Sequence, residues 1–253
     1  MDPKFPIGSH VSKKPSLSKT FIGWISAPHL PIQIMFGRSS KIFISEEEVS
    51  KSLEIVNKYK LKVFVHTPYI LNLCSERAKI KDDYIIKCIQ AHLSYCKRFG
   101  AKGVVVHVGK SCKLKEKDAL ENMRKNIEAC LESSSEECPL LLETPAGQGT
   151  ETLTTVSELL DFVESFHSKK LGVCVDTCHV FASGILPSEA LNICCSKPEW
   201  KSCVKLVHFN DSAKDQGCCV DRHAPIGTGK IPLNDLLKCA ECCEHNGIPM
   251  LNE

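Results

Sequence analysis

The sequence predicts an α/β protein built as a (β/α)8 TIM barrel, and three observations predict it. Six short apolar runs end in a metal-type ligand: KVFVHT (His66), GVVVHV (His107), PLLLET (Glu143), GVCVDTCH (Asp176, His179), KLVHFND (His208) and GIPMLNE (Glu253). A continuous Val/Ile/Leu run is the pattern of a parallel strand buried on both faces. Polar residues at the C-terminal ends of several such strands are how a barrel assembles a site at one mouth. Strand-like and helical segments also alternate along the chain, as parallel strands with helical crossovers require. Finally, no glycine-rich phosphate loop follows the first strand, which argues against a dinucleotide fold.

The elements follow in order. Eight strands are predicted over 6–11, 32–36, 62–67, 103–108, 139–144, 172–177, 204–210 and 247–253. Between them, SEEEVSKSLEIVNKYKL (45–61) opens at Ser45 as N-cap, with Glu48 three residues on to complete a capping box. DDYIIKCIQAHLSYCKRFG (82–100) places Ile85, Cys88, Ile89, His92 and Cys96 on one face and stops at Gly100. KDALENMRKNIEACLESS and TTVSELLDFVESFH follow the same periodicity, and LNDLLKCAECCEHNG ends at Asn246–Gly247. No linker or low-complexity tract interrupts residues 1–253, so one domain is expected. The chain stops at Glu253, so an eighth helix is expected to be missing.

Composition narrows the function classes. No run approaches the ~20 apolar residues that cross a bilayer, and the start MDPKFPIGSH has no signal-peptide core. An intracellular protein is expected, in cytoplasm or nucleus, with no membrane partner. The net charge of +2 does not diagnose a nucleic-acid binder. Sixteen cysteines do not form a disulfide framework: many fall inside apolar runs or helices, and Cys194–Cys195, Cys218–Cys219 and Cys242–Cys243 are adjacent. They read as thiols of a reducing compartment. The single CxxC, Cys239 to Cys242, has no second pair to complete a zinc knuckle.

The ligand inventory carries the chemistry. To the strand-end groups the motif DRH adds Asp221 and His223, giving nine His and carboxylate residues. Nine are too many for one four-coordinate ion and suit two or three with shared carboxylates. Such sites stabilise the attacking and leaving oxygens of phosphodiester hydrolysis. Each group alone has a bland reading. A His ending a strand is often a hydrogen-bonded core residue, DRH can be a surface ion-pair turn, and Asp176 can be a helix N-cap beside an incidental His179. Those readings would have to hold independently at five or more strand ends.

The segments IGSHVS, HTPYILNL, VVVHVG, LLETPAGQGT, GVCVDTCHVFASG, VHFND and VDRHAPIGTGKI together resemble the endonuclease IV family of abasic-site endonucleases, nearly end to end. The resemblance implies a xylose-isomerase-like barrel and zinc-dependent DNA repair. It implies cleavage of the phosphodiester bond 5′ to an abasic site, leaving a 3′-hydroxyl and a 5′-deoxyribose phosphate, and trimming of blocked 3′ ends. Three zinc ions per chain are implied. His66, His107 and bridging Glu143 would hold the first; Asp176, His208 and Glu253, sharing Glu143, the second; His179, Asp221 and His223 the third. Glu143 would be the catalytic carboxylate. Tyr69 and Ile70 match the position from which the family inserts side chains into DNA, and Arg38 and Lys41 are assigned the matching basic role in a segment, FGRSSKIF, that departs from the family's pattern. Damaged double-stranded DNA is the expected partner and a monomer the expected state. The rival readings are a metal-dependent sugar isomerase or epimerase on the same barrel, and a DNA-binding protein with an impaired metal site.

Overall fold

The computed structural model describes residues 5–37, 42–76 and 83–253. Its strands are β1 (Ile7–His10), β2 (Ile32–Met35), β3 (Val63–His66), β4 (Gly103–His107), β5 (Leu140–Glu143), β6 (Leu171–Asp176), β7 (Val204–His208), β8 (Asp211–Ser212), β9 (His223–Ala224) and β10 (Met250–Asn252). Strands β1 to β7 and β10 close into one parallel barrel, in which β10 sits between β7 and β1. All eight predicted strands are therefore present, seven of them trimmed at their ends and the sixth shifted by one residue from 172–177 to Leu171–Asp176. The short β8 and β9 form a separate antiparallel arm, which periodicity did not reveal.

The helices are α1 (Leu17–Ile22), α2 (Glu46–Tyr59), α3 (Tyr84–Phe99), α4 (Glu116–Leu131), α5 (Val156–Glu164), α6 (Thr177–Ala182), α7 (Pro187–Cys195), α8 (Pro198–Cys203) and α9 (Leu233–Asn246). The predicted face of α3 is buried, and its end at Gly100 takes the left-handed conformation at φ 84°. Likewise α9 ends at Gly247 with φ 66°. The expected capping box of α2 is only half made. Ser45 accepts from the Glu48 N–H, but the Glu48 carboxylate turns to Ser18, whose N–H donates at 2.6 Å. A complete box occurs instead at Thr155 and Glu158 of α5. All sixteen cysteines are free thiols. Among the described residues no helix is long and apolar enough to cross a membrane.

Strand alternation sorts side chains between two cores. Residues such as Val63 and Val65, Val104 and Val106, or Leu140 and Leu142 face outward into the large core under the helices. Phe64, Val105, Leu141, Cys174, Leu206 and Leu251 face inward and fill the barrel. Side chains two residues apart share a face. The residues two positions beyond that inner set are His66, His107, Glu143, Asp176, His208 and Glu253. One geometric rule thus carries all six to the C-terminal mouth, above an apolar plug.

His92, on the buried face of α3, is fully buried. Its Nδ1–H donates to Cys88 O at 2.8 Å, the ring stacks on Phe36 at 5.3 Å, and Nε2 has no partner among the described residues. Burial pushes its pKa down to about 4. Between pH 6.5 and 4 the unfolded chain takes a proton that the native chain refuses, so stability falls as pH drops through that window and then levels. Between pH 7 and 4, in chelator, the native chain should lose about 3 kcal/mol more stability than the His92→Asn variant. Urea titrations of both proteins at each pH measure this.

Candidate metal centre

Glu143, at the end of β5, is 1 % exposed and lies at the centre of the mouth. Its two oxygens face different groups. Oε2 lies 3.0 Å from His66 Nε2 and 2.9 Å from His107 Nε2. Oε1 lies 2.8 Å from His208 Nδ1 and 3.8 Å from His179 Nδ1. Burial alone would raise its pKa, but the charges of His107 and His208 hold the carboxyl well below the usual carboxylate range. Five imidazoles form a continuous chain across the mouth. Centroids are 5.9 Å apart from His208 to His66, 5.0 Å to His107, 6.2 Å to His179 and 5.7 Å to His223.

The D-x-x-H motif arises where β6 passes directly into α6. Asp176 caps that helix by accepting from the His179 N–H at 2.9 Å through Oδ1. Its Oδ2 is left facing the mouth, 3.8 Å from His208 Nδ1 and 3.6 Å from His223 Nε2, and receives a hydrogen bond from Asn210 Nδ2 at 2.7 Å. Asp176 is thus both the N-cap and a candidate ligand. The helical turn lifts His179 so that its Nδ1–H donates to Thr144 O at 2.8 Å and Nε2 points inward. That buried Nε2 lies 3.3 Å from Asp221 Oδ1 without a hydrogen bond. Burial opposes charge on His179, but Asp176, Asp221 and Glu143 raise its pKa well above the usual value.

The DRH motif arrives on the antiparallel arm. Pairing of Ser212 with His223 carries the loop back over the mouth, and His223 Nε2 comes within 3.3 Å of Asp221 Oδ1. Asp211 holds this arm. Its buried carboxylate accepts backbone N–H groups from Ser212 at 2.7 Å, Gly227 at 3.0 Å, Gly229 at 2.8 Å and Ile231 at 3.1 Å. A Cβ on Gly229 would meet Asp211 Oδ1 at 2.3 Å, which explains the glycine in GTGKI.

Ligand atoms converge in overlapping groups, each within 4.8 Å: His66, His107 and Glu143; Glu143, Asp176, His208 and Glu253; Asp176, His179 and His223; and Cys178, Asp221 and His223. Asp176 therefore reaches two groups, and Cys178 joins a geometric group for which no role was expected. Burial pushes the Cys178 thiol up to about 12. Among the described residues no Lys or Arg forms an ion pair with Glu143, Asp176, Asp221 or Glu253; every partner is a histidine. Two buried carboxylates without a fixed cation, Glu143 and Asp176, an unpartnered imidazole nitrogen and a donor set of imidazole nitrogens and carboxylate oxygens, beside one thiol that burial keeps protonated, fit bound divalent metal.

Burial grades across the site. Side chains of Glu143, His208 and Asp176 are 0–1 % exposed, whereas His107 is 33 % and Asp221 41 % exposed. The floor is closed and the His107–Asp221 side opens to a cleft of about 310 Å³ that Tyr69 also lines. Tyr69 and Ile70 project at 71 % and 59 % exposure. Their loop is held from below. Asn72 accepts from Lys110 N at 2.8 Å and donates to Lys110 O at 2.9 Å, and Asn126 donates to Leu73 O and Ser75 O at 2.8 and 2.9 Å. A Cβ on Gly109 would meet Cys74 N at 2.5 Å, so the glycine permits this close docking. Arg38 and Lys41 lie outside the described residues.

Sequence reasoning missed Gln33, Asn210 and Asp211, which touch candidate ligands or carry their loop. A single amide inside the apolar run PIQIMF and two polar residues after His208 were the available signals.

Comparison with known proteins places this geometry in context. Residues 32–241 match the family model described as a xylose isomerase-like TIM barrel. A probable endonuclease 4 from Sulfurihydrogenibium sp. (strain YO3AOP1) is 32 % identical over 260 residues, covering 98 % of this chain and 92 % of that protein. A probable endonuclease 4 from Mesomycoplasma hyopneumoniae (strain 7448) is 34 % identical over 179 residues, covering 70 % of this chain and 63 % of that relative's length. In fold, the chain superposes on endonuclease IV from Thermus thermophilus with a TM-score of 0.80 at 24 % identity, covering 98 % and 92 % of the two chains. A barrel whose mouth gathers these carboxylates and imidazoles, and whose sequence aligns nearly throughout with such relatives, belongs to the endonuclease IV family.

Proposed function

We propose that this chain is a zinc-dependent DNA repair endonuclease that hydrolyses the phosphodiester bond 5′ to an abasic site, leaving a 3′-hydroxyl and a 5′-deoxyribose phosphate. The same hydrolysis would trim blocked 3′ ends. The observation that carries the reading is the division of the Glu143 carboxylate between two ligand groups, with a third beside it and an open cleft above. His66, His107 and Glu143 would hold one zinc; Glu143, Asp176, His208 and Glu253 a second; His179, Asp221 and His223 a third. Zinc in such sites supplies Lewis-acid charge to phosphate oxygens and lowers the pKa of water.

The residues themselves perform the positioning. His66 donates Nδ1–H to Thr67 O at 2.7 Å and His179 donates to Thr144 O, so both offer an Nε2 lone pair inward. The closed floor excludes water from Glu143 and His208, and the phosphate would enter from the His107–Asp221 side. Tyr69 and Ile70 stand on a loop fixed before DNA arrives, so little ordering cost falls on binding. An abasic nucleotide has no base to unpair and is extruded at lower cost than a normal one. The two side chains would fill the gap it leaves. A sugar isomerase needs a smaller metal site, and neither the third ligand group nor the exposed apolar rim favours that reading.

Incision of a duplex carrying one abasic-site analogue, by as-purified and metal-stripped protein, tests the proposal. Cleavage lost on stripping and restored by zinc is expected; a chain that binds zinc but leaves the duplex intact contradicts it. Glu143→Gln should lower zinc-restored incision by about a thousandfold or more while the chain remains folded by circular dichroism. Tyr69→Ala combined with Ile70→Ala should weaken binding of abasic duplex by about 10- to 100-fold with zinc content unchanged, as fluorescence anisotropy and metal analysis would record.

A further inference from the structure

Gln33 lies in the middle of β2, paired with His10 on one side and Phe64 on the other, and is fully buried. Ile32 and Ile34 face the outer core, so alternation turns Gln33 into the barrel. Its Nε2 lies 2.6 Å from Glu253 Oε1 and 3.1 Å from His10 Nδ1. Its Oε1 lies 2.9 Å from His208 Nε2. These contacts fix the orientation of the amide. A carboxylate oxygen only accepts, so the atom beside Glu253 is the NH2 group. The amide oxygen then faces His208 Nε2, which must donate.

The consequence falls on His208. With hydrogen on Nε2, its lone pair is on Nδ1, the atom 2.8 Å from Glu143 Oε1 and 3.0 Å from Glu253 Oε2. The other clustered histidines do the reverse: His66, His107, His179 and His223 each direct Nε2 at a carboxylate. His66 and His179 use nearby backbone carbonyls to hold Nδ1–H. A histidine that presents Nδ1 needs its acceptor at the far end of the ring, and here a residue 175 positions away in sequence supplies it.

We infer that Gln33 is a positioning residue for the second metal group: it selects the His208 tautomer that presents Nδ1, and it pins Glu253 Oε1 so that Oε2 is left for the cation. One amide thereby sets two ligands. The inference rests on the reading of His208 and Glu253 as ligands under Proposed function.

The test uses zinc-loaded protein labelled with ¹⁵N-histidine. Long-range ¹H–¹⁵N spectra distinguish a ring that keeps hydrogen on Nε2 and binds through Nδ1, and His208 should be the one member of the cluster in that state. Gln33→Met removes both contacts. It should lose the protected Nε2–H signal and weaken one zinc site by about 10- to 100-fold in competition with a chromophoric chelator. Gln33→Glu keeps an acceptor for His208 but sets a carboxylate against Glu253. It should keep the signal yet still weaken zinc binding. Wild-type affinity in either variant, or an unchanged Nε2–H signal in folded Gln33→Met, overturns the role of Gln33 while leaving the metal reading intact. A wild-type chain that takes up no zinc overturns both.

Discussion

A single buried carboxylate organises the mouth of this barrel. Glu143 is taken almost wholly out of water, a placement that is strongly unfavourable for a lone charge and becomes tolerable only with opposite charge and hydrogen bonding around it. Its two oxygens meet four imidazoles from β3, β4, β7 and the first turn of α6. Those elements must keep their register for the carboxylate to remain paired. The barrel provides this because six consecutive inward positions, one turn of the pleat above an apolar plug, deliver their side chains to one plane. Stability of the strands and assembly of the site are consequences of the same alternation.

Around this hub the supporting residues divide the labour by distance. Backbone carbonyls of Thr67 and Thr144 orient the rings next to them. Asn210 ties Asp176 to the segment bearing Glu253, accepting the Glu253 N–H at 3.0 Å. Asp211 folds the arm that returns Asp221 and His223 to the mouth. The closed floor and open rim then follow from which strands carry loops over the site. Rigidity extends to the rim, where buried Leu71, Leu73 and Cys74 and three asparagines secure the loop beneath Tyr69 and Ile70.

Much of this is legible in the sequence. Buried parallel strands declare themselves by continuous apolar runs, so every barrel strand was found, together with the long amphipathic helices α2, α3, α4, α5 and α9. The short helices α1, α6 and α8 were not, because two turns or fewer give too little periodicity, and neither was α7, although it is as long as α5. α6 is buried at every position, which leaves it no amphipathic stripe at all. The strand-end histidines and carboxylates stood out because each interrupts or ends an apolar run. Gln33 also interrupts an apolar run but was missed, because its meaning depends on Glu253, 220 residues away, and on a ring orientation that no local pattern encodes. Glu48 shows the opposite failure: a local capping signal was present, and a tertiary contact with Ser18 overrode half of it. Asp176 escapes the choice between cap and candidate ligand because Oδ1 caps α6 while Oδ2 is left facing the mouth.

The claim that Glu143 unites the site is tested most directly by zinc-edge anomalous diffraction from crystals grown with zinc. The account predicts three anomalous peaks per chain. One would sit beside Oε2 with His66 and His107, one beside Oε1 with His208 and Glu253, and one among His179, Asp221 and His223. Peaks confined to other surfaces, with Glu143 bonded only to protonated histidines, would contradict it.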